Sequence, residues 1–260
     1  MKSLQGKRVV VTRAPSQLAR LTSLLSEWGA EVVELPLIEV REKIDPDLEA
    51  EVFKGLAVYE WVVFTSANGV RYFFDAFFRQ FSDLRCLGPC RIGCVGKATQ
   101  KAVQRFNLEV DLAPKASTAL ALGEEMLEFQ GFDSVKVLVV TGNRNGDELP
   151  KLLEDAGRAI VDTFPVYETV ERSLDDDPGA ADFRAMGADW ITFTSGSTVE
   201  AFVRQAKFLV LAEGARKPKT CSIGPVTSEI MRKLGLPVDL EVKEPSVDAM
   251  VDAMVEAELG

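Results

Sequence analysis

Two stretches of this 260-residue chain pair hydroxyls with small residues directly after an apolar run. They are Phe64-Thr-Ser-Ala-Asn-Gly-Val70 and, 129 positions later, Phe193-Thr-Ser-Gly-Ser-Thr-Val199. The runs headed by Trp61 and Trp190 read as buried strands, and the amphipathic segments that follow, Val70 to Phe78 and Val199 to Phe208, read as helices. Where a strand turns straight into a helix, free backbone N–H groups gather at the positive end of the helix dipole, so that a carboxylate or phosphate can be held there. Ser66, Asn68, Ser195 and Ser197 occupy that position. Two more turns are of the same kind: Val95-Gly-Lys-Ala-Thr99, with Lys97 and Thr99, and Ile223-Gly-Pro-Val-Thr227, with Thr227. Arg13, at the end of the first strand, and Arg144, in the Thr141–Gly146 turn, are weaker candidates, because a long basic side chain at a strand end is as often a solvated surface group. Each hydroxyl alone reads equally well as a helix cap. Four similar turns at one sheet edge favour an anion site.

Composition limits the chemistry available to such a site. There is no histidine, which excludes a His-dependent triad, a His-ligated zinc and an imidazole shuttle. Proton transfer is left to Tyr, Lys, Asp, Glu, Cys, substrate or water. With 30 basic against 40 acidic residues, the net charge of −10 argues against nucleic-acid or anionic-membrane partners. Cys86, Cys90, Cys94 and Cys221 are too few for a disulfide scaffold and are expected to stay thiols; Gly88, Pro89 and Gly93 break any helix that would align the first three on a metal. No signal-peptide core and no run of about 18 apolar residues occurs, so the expected address is cytoplasmic.

The elements that must position these turns come in two copies. The first opens with the strand Lys7 to Arg13, a helix from Pro15 to Trp28 ended by Gly29, and an extended stretch from Val32 to Val40. After the acidic segment Glu42 to Glu51 come the Trp61 strand and its helix, a strand and turn from Arg91 to Thr99, a short strand from Val110 to Ala113, and a helix capped by Ser117. From Val135 the order restarts. Thr12 returns as Thr141, Pro36 as Pro165, Glu39 as Glu168 and Ser117 as Ser246 at 129 residues, and Gly96 as Gly224 and Asp111 as Asp239 at 128. This is an internal duplication whose alternating strands and helices predict an α/β fold of two similar domains, each a parallel sheet flanked by helices. Ligands of such sheets bind beyond the carboxyl ends of the strands, where all four turns fall.

The same residues, with Pro165-Val-Tyr-Glu-Thr169, carry a resemblance that extends from Val9 to Met254: the chain is similar to the uroporphyrinogen-III synthase family. The resemblance implies an interleaved topology. Residues 1–36 plus 170–260 would form one domain and 40–165 the other, joined by connecting strands 35–41 and 164–171, with the site in the cleft between the domains. The implied reaction is closure of hydroxymethylbilane to uroporphyrinogen III, with inversion of ring D and loss of water, by a cofactor-free, metal-free monomer. Tyr167 matches the family's tyrosine that assists departure of the hydroxymethyl oxygen. Its counterpart in the first copy is Ile38, so the repeat itself does not require a phenol there. Arg144 departs from the pattern, since many relatives carry this arginine one or more places later. A two-lobed small-molecule-binding or regulatory protein without catalysis is the alternative reading, and a nucleotide-sugar transferase a more distant one.

Overall fold

In a computed structural model that describes residues 3–259, the chain forms two compact units, Met1–Val40 with Val170–Gly260, and Arg41–Thr169. Unit one begins with β1 (Arg8–Val11), α1 (Leu18–Glu27) and β2 (Glu31–Glu34). The chain passes along β3 (Ile38–Glu42) into unit two, which contains α2 (Pro46–Lys54), β4 (Trp61–Phe64), α3 (Ala67–Gln80), β5 (Arg91–Cys94), α4 (Lys97–Gln104), α5 (Ala119–Phe129), β6 (Lys136–Gly142) and α6 (Glu148–Asp155). It returns along β7 (Ile160–Glu171) to complete unit one with α7 (Pro178–Met186), β8 (Trp190–Phe193), α8 (Gly196–Arg204), β9 (Lys219–Ser222), α9 (Pro225–Lys233), β10 (Leu240–Glu241) and α10 (Val247–Leu259).

Each unit holds a five-stranded sheet, in the order β10-β9-β8-β1-β2 in unit one and β3-β7-β6-β4-β5 in unit two. The pairings of unit one and those of β7-β6-β4-β5 are parallel. At the edge of the second sheet, Lys43 N donates to Val166 O (3.2 Å) and Arg172 N to Leu37 O (3.0 Å), so β3 and β7 run in opposite directions. Parallel strands need crossover connections, here supplied by helices, and covering both faces makes the central strands apolar throughout. All four residues of β1 are buried. Val9 and Val11 pack with Leu21, Leu25, Met250 and Met254 of α1 and α10 on one face, while Val10 packs with Phe183, Val199 and Met231 of α7, α8 and α9 on the other. In unit two, Trp61 and Val63 face Leu122 and Met126 of α5 and Leu149 and Leu153 of α6. The opposite face is aromatic, with Phe53 edge-on to both Phe73 and Phe164 at 5.7 Å.

The duplication recurs in local chemistry. Asp111 and Asp239 each accept a strand N–H through Oδ2, from Ile92 and Thr220 respectively, both at 2.7 Å. Asp111 thereby occupies a ladder position with its side chain, and the strand expected over Val110 to Ala113 is reduced to one bridge, Gly93 to Leu112. The cap expected at Ser117 is also corrected. Thr118 Oγ1 accepts from Ala121 N (3.2 Å) to cap α5, as Ser246 Oγ accepts from Ala249 N (3.1 Å) to cap α10. Ser117 lies instead against Gly96, as Pro245 lies against Gly224, so the repeat offset in this segment is 128 and Ser246 corresponds to Thr118. The acidic segment before Trp61 is a helix, α2, started by the Asp45 side chain on Asp47 N and Leu48 N, with Pro46 at the first position.

Candidate functional site

Because β4, β5 and β6 are parallel, their turns share one edge of the unit-two sheet. Ser66 sits at the head of α3 in extended conformation (φ −157°), where its Oγ accepts from Gly69 N at 3.0 Å and satisfies one orphan donor of the first turn. The same Oγ lies 3.0 Å from the Tyr167 hydroxyl. Asn68, the second residue of α3, is half-buried; Lys97, exposed, opens α4; Thr99, two residues on, is buried; and Arg144 is exposed in the turn after β6.

Tyr167 is held on every side. The β6–β7 register slips by one residue, from Thr141 opposite Pro165 to Gly142 opposite Tyr167. This irregularity lays the phenol ring on Gly142: a Cβ there would lie 2.3 Å from Tyr167 Cζ, so only glycine admits the ring. Tyr72 of α3 stacks alongside, with ring centroids 6.0 Å apart and planes 22° from parallel. Asn143 closes the backbone around it, its N–H donating to Tyr167 O (3.2 Å), its Oδ1 accepting from Thr169 N (2.8 Å) and its Nδ2 donating to Thr169 O (3.3 Å). Burial raises the Tyr167 pKa above the ordinary phenol value, and the Ser66 hydrogen bond opposes this. The phenol is therefore neutral at physiological pH and can give up a proton. The adjacent Glu168 engages Arg41 (2.7 Å) and Lys43 (2.8 Å), which hold its carboxyl below the usual range, the Lys43 bond first and Arg41 second.

Unit one repeats the caps and lacks the phenol. Ser195 Oγ accepts from Thr198 N (3.4 Å) at the head of α8, and it also lies 2.9 Å from Ser197 Oγ and 3.5 Å from Thr198 Oγ1. Thr227, in the first turn of α9, is buried. Arg13 follows β1; its Nη2 donates to Gln17 Oε1 (3.1 Å), its Nε is buried without a partner, and burial lowers its pKa. Ile38 belongs to the apolar core. The candidates thus form two groups, Arg13, Ser195, Ser197 and Thr227 in unit one, and Ser66, Asn68, Lys97, Thr99, Arg144 and Tyr167 in unit two.

Sequence reasoning missed Tyr72, Gly142 and Asn143. A signal for Gly142 was present in the duplication. At the 129-residue offset Gly142 corresponds to Arg13 and Tyr167 to Ile38, so the copy that gains a ring loses the side chain opposite it.

A family model described as Uroporphyrinogen-III synthase HemD matches residues 19–252 of this chain. A uroporphyrinogen-III synthase of Chlorobaculum parvum is 30% identical over 241 residues, covering 90% of this chain and 92% of that protein. A porphyrin biosynthesis protein HemD of Ruminiclostridium josui is 29% identical over 255 residues, 98% of this chain; the chain spans about half, 49%, of that relative's length. Among solved structures, a mutant uroporphyrinogen III synthase from the extremely thermophilic bacterium Thermus thermophilus superposes with a TM-score of 0.67 at 16% identity, covering 98% of this chain and 99% of that one, a likeness of fold.

Proposed function

The chain belongs to the uroporphyrinogen-III synthase family, and from that premise we propose that it is a lyase that cyclises hydroxymethylbilane to uroporphyrinogen III, inverting ring D and releasing water. The family match across residues 19–252 carries this reading. The seated phenol of Tyr167 supports the chemistry. The pyrrole nitrogen of ring A pushes out the hydroxymethyl oxygen, breaking the C–O bond and forming an azafulvene. Tyr167 gives its proton to the departing oxygen, which leaves as water. Because Ser66 Oγ already accepts from Gly69 N, its own hydrogen is available for Tyr167 Oη. That arrangement frees the phenol proton for the substrate and stabilises the phenolate left behind. The substituted carbon of ring D then attacks the azafulvene to give a spiro intermediate, whose fragmentation and reclosure invert the ring.

The substrate's eight carboxylates are shared by both groups of strand-end turns, with Asn68, Lys97, Thr99 and Arg144 acting in unit two and Arg13, Ser195, Ser197 and Thr227 in unit one. Folding the bilane so that ring D presents its substituted carbon is positioning catalysis. Segments 35–41 and 164–171 serve as the two connectors in this reading, which also includes a cytoplasmic monomer working without nucleic acid or membrane. No helix among the described residues is long and apolar enough to cross a membrane. The deciding experiment is chromatographic separation of uroporphyrinogen isomers after incubation with freshly generated hydroxymethylbilane. Isomer III is expected, and formation of isomer I alone overturns the assignment.

A further inference from the structure

Most arginines of this acidic chain are matched to carboxylates, as Arg8 is to Glu31 and Asp182, Arg79 to Glu42, and Arg204 to Glu171. Arg71 is different. Its Nε is buried and lacks a hydrogen-bond partner, and no carboxylate pairs with it among the described residues. Its guanidinium carbon stands 4.2 Å from the centroid of the Tyr72 ring, and Tyr72 stacks in turn on Tyr167.

Arg71 lies one turn inside α3, four residues after Ala67, so its Cα is about 6 Å along the axis from the helix start. Helix side chains lean back toward the N-terminus. The guanidinium is therefore carried toward the strand-end edge that holds Ser66 and Asn68. A cation kept partly out of water without a counter-ion is unfavourable, and the aromatic face beneath it offsets only part of that cost. An incoming carboxylate would complete its hydrogen bonds in the planar fork that guanidinium offers.

We propose that Arg71 is a substrate-binding residue that clamps one carboxylate of the tetrapyrrole beside Tyr167, with the Tyr72–Tyr167 stack fixing the distance between the held carboxylate and the proton donor. This rests on the tetrapyrrole reading of the site.

The test uses the full chain and uroporphyrin III, a stable octacarboxylate, as a fluorescent probe, alongside turnover of hydroxymethylbilane. Arg71→Gln is expected to weaken the uroporphyrin Kd by about 10- to 100-fold, the range for losing a charge-assisted hydrogen bond. KM is expected to rise in parallel, and Arg71→Lys to recover part of the loss. Because Kd does not depend on the fraction of folded protein, a merely structural role would lower the number of binding sites and leave Kd alone. An unchanged Kd in Arg71→Gln overturns the proposal, as does failure of the wild type to bind uroporphyrin III. Arg71-dependent binding by a wild type that forms no isomer III would support the carboxylate clamp while removing the catalytic assignment.

Discussion

Replacing Gly142 by alanine probes the seat of Tyr167 without touching the phenol. The added methyl carbon would lie 2.3, 2.5 and 2.8 Å from Tyr167 Cζ, Cε2 and Cε1. Carbon atoms in contact sit about 3.5–4.0 Å apart, so the ring must withdraw by roughly 1 Å or more. Gly142 is absent from the positive-φ residues, so alanine meets no left-handed backbone penalty there and the collision with the ring is the main effect. Overpacking of this kind costs about 1–3 kcal/mol of stability, and a displacement near 1 Å at a catalytic group costs about 10²-fold in rate. Urea unfolding would read the first quantity and steady-state turnover the second. The two must cancel differently in double variants. In a Tyr167→Ala background the stability cost of Gly142→Ala should disappear, because the ring it collides with is gone; in a Tyr167→Phe background that cost should persist while turnover falls little further. A well-folded Gly142→Ala protein with wild-type stability and turnover would refute both the seat and the role assigned to the phenol.

Tyr167→Phe should lower turnover by about 10²-fold or more, the lower end for general acid catalysis, and leave the residual product mainly isomer III, since positioning is untouched. With the Tyr167 pKa raised by burial, the acid form persists above the ordinary phenol value near 10, so turnover should show no alkaline loss from this group below about pH 10. The paired caps give an internal control. Ser66→Ala and Ser195→Ala should each destabilise by about 1 kcal/mol in thermal unfolding. Ser195→Ala, which loses a carboxylate contact, should act on KM, whereas Ser66→Ala should lower kcat through Tyr167; equal losses of kcat at saturating substrate would contradict the asymmetry. Glu168 has a folded pKa below its unfolded value of about 4.3, so its contribution is present above that pH and is lost as pH falls through the folded pKa. Glu168→Gln should accordingly flatten the acid limb of the stability–pH curve, and an unaltered limb would exclude the Arg41 and Lys43 pairs as its source.

The parallel sheets were legible because central strands covered on both faces are written as unbroken apolar runs, as Val9 to Val11 and Trp61 to Phe64 are, and because the duplication supplied a second copy of each. The short helix α2 was not, since its sequence is largely acidic and only Val52 and Phe53 are buried; Asp45 followed by Pro46 was the available signal. Val110 to Ala113 reads as a strand by composition, yet the Asp111 carboxylate takes the hydrogen bond a strand backbone would have accepted. At the site, Ser66 and Ser195 could be placed from local pattern, because capping depends on residues three apart. Tyr167 could be named, but not its seat. That depends on a one-residue slip between β6 and β7, and on Tyr72 and Gly142, which tertiary packing brings to the ring from α3 and β6.

The interleaved order has a consequence for synthesis. The second unit, Arg41–Thr169, is contiguous and can close as soon as its last strand has emerged. The first cannot. Its β1 lies inside the sheet, paired to β2 on one side and to β8 on the other, with Val9 opposite Trp190. At about 5–20 residues per second, on the order of ten to forty seconds separate the appearance of those two strands at the ribosome. For that interval a parallel strand–helix–strand fragment of β1, α1 and β2 has an open strand edge along the buried β1, the feature most prone to pair with another chain. The completed unit two meanwhile remains tethered to the fragment through β3. Nascent chains of this protein therefore carry one finished unit and one exposed seam, a state in which shielding by a chaperone has the most to protect.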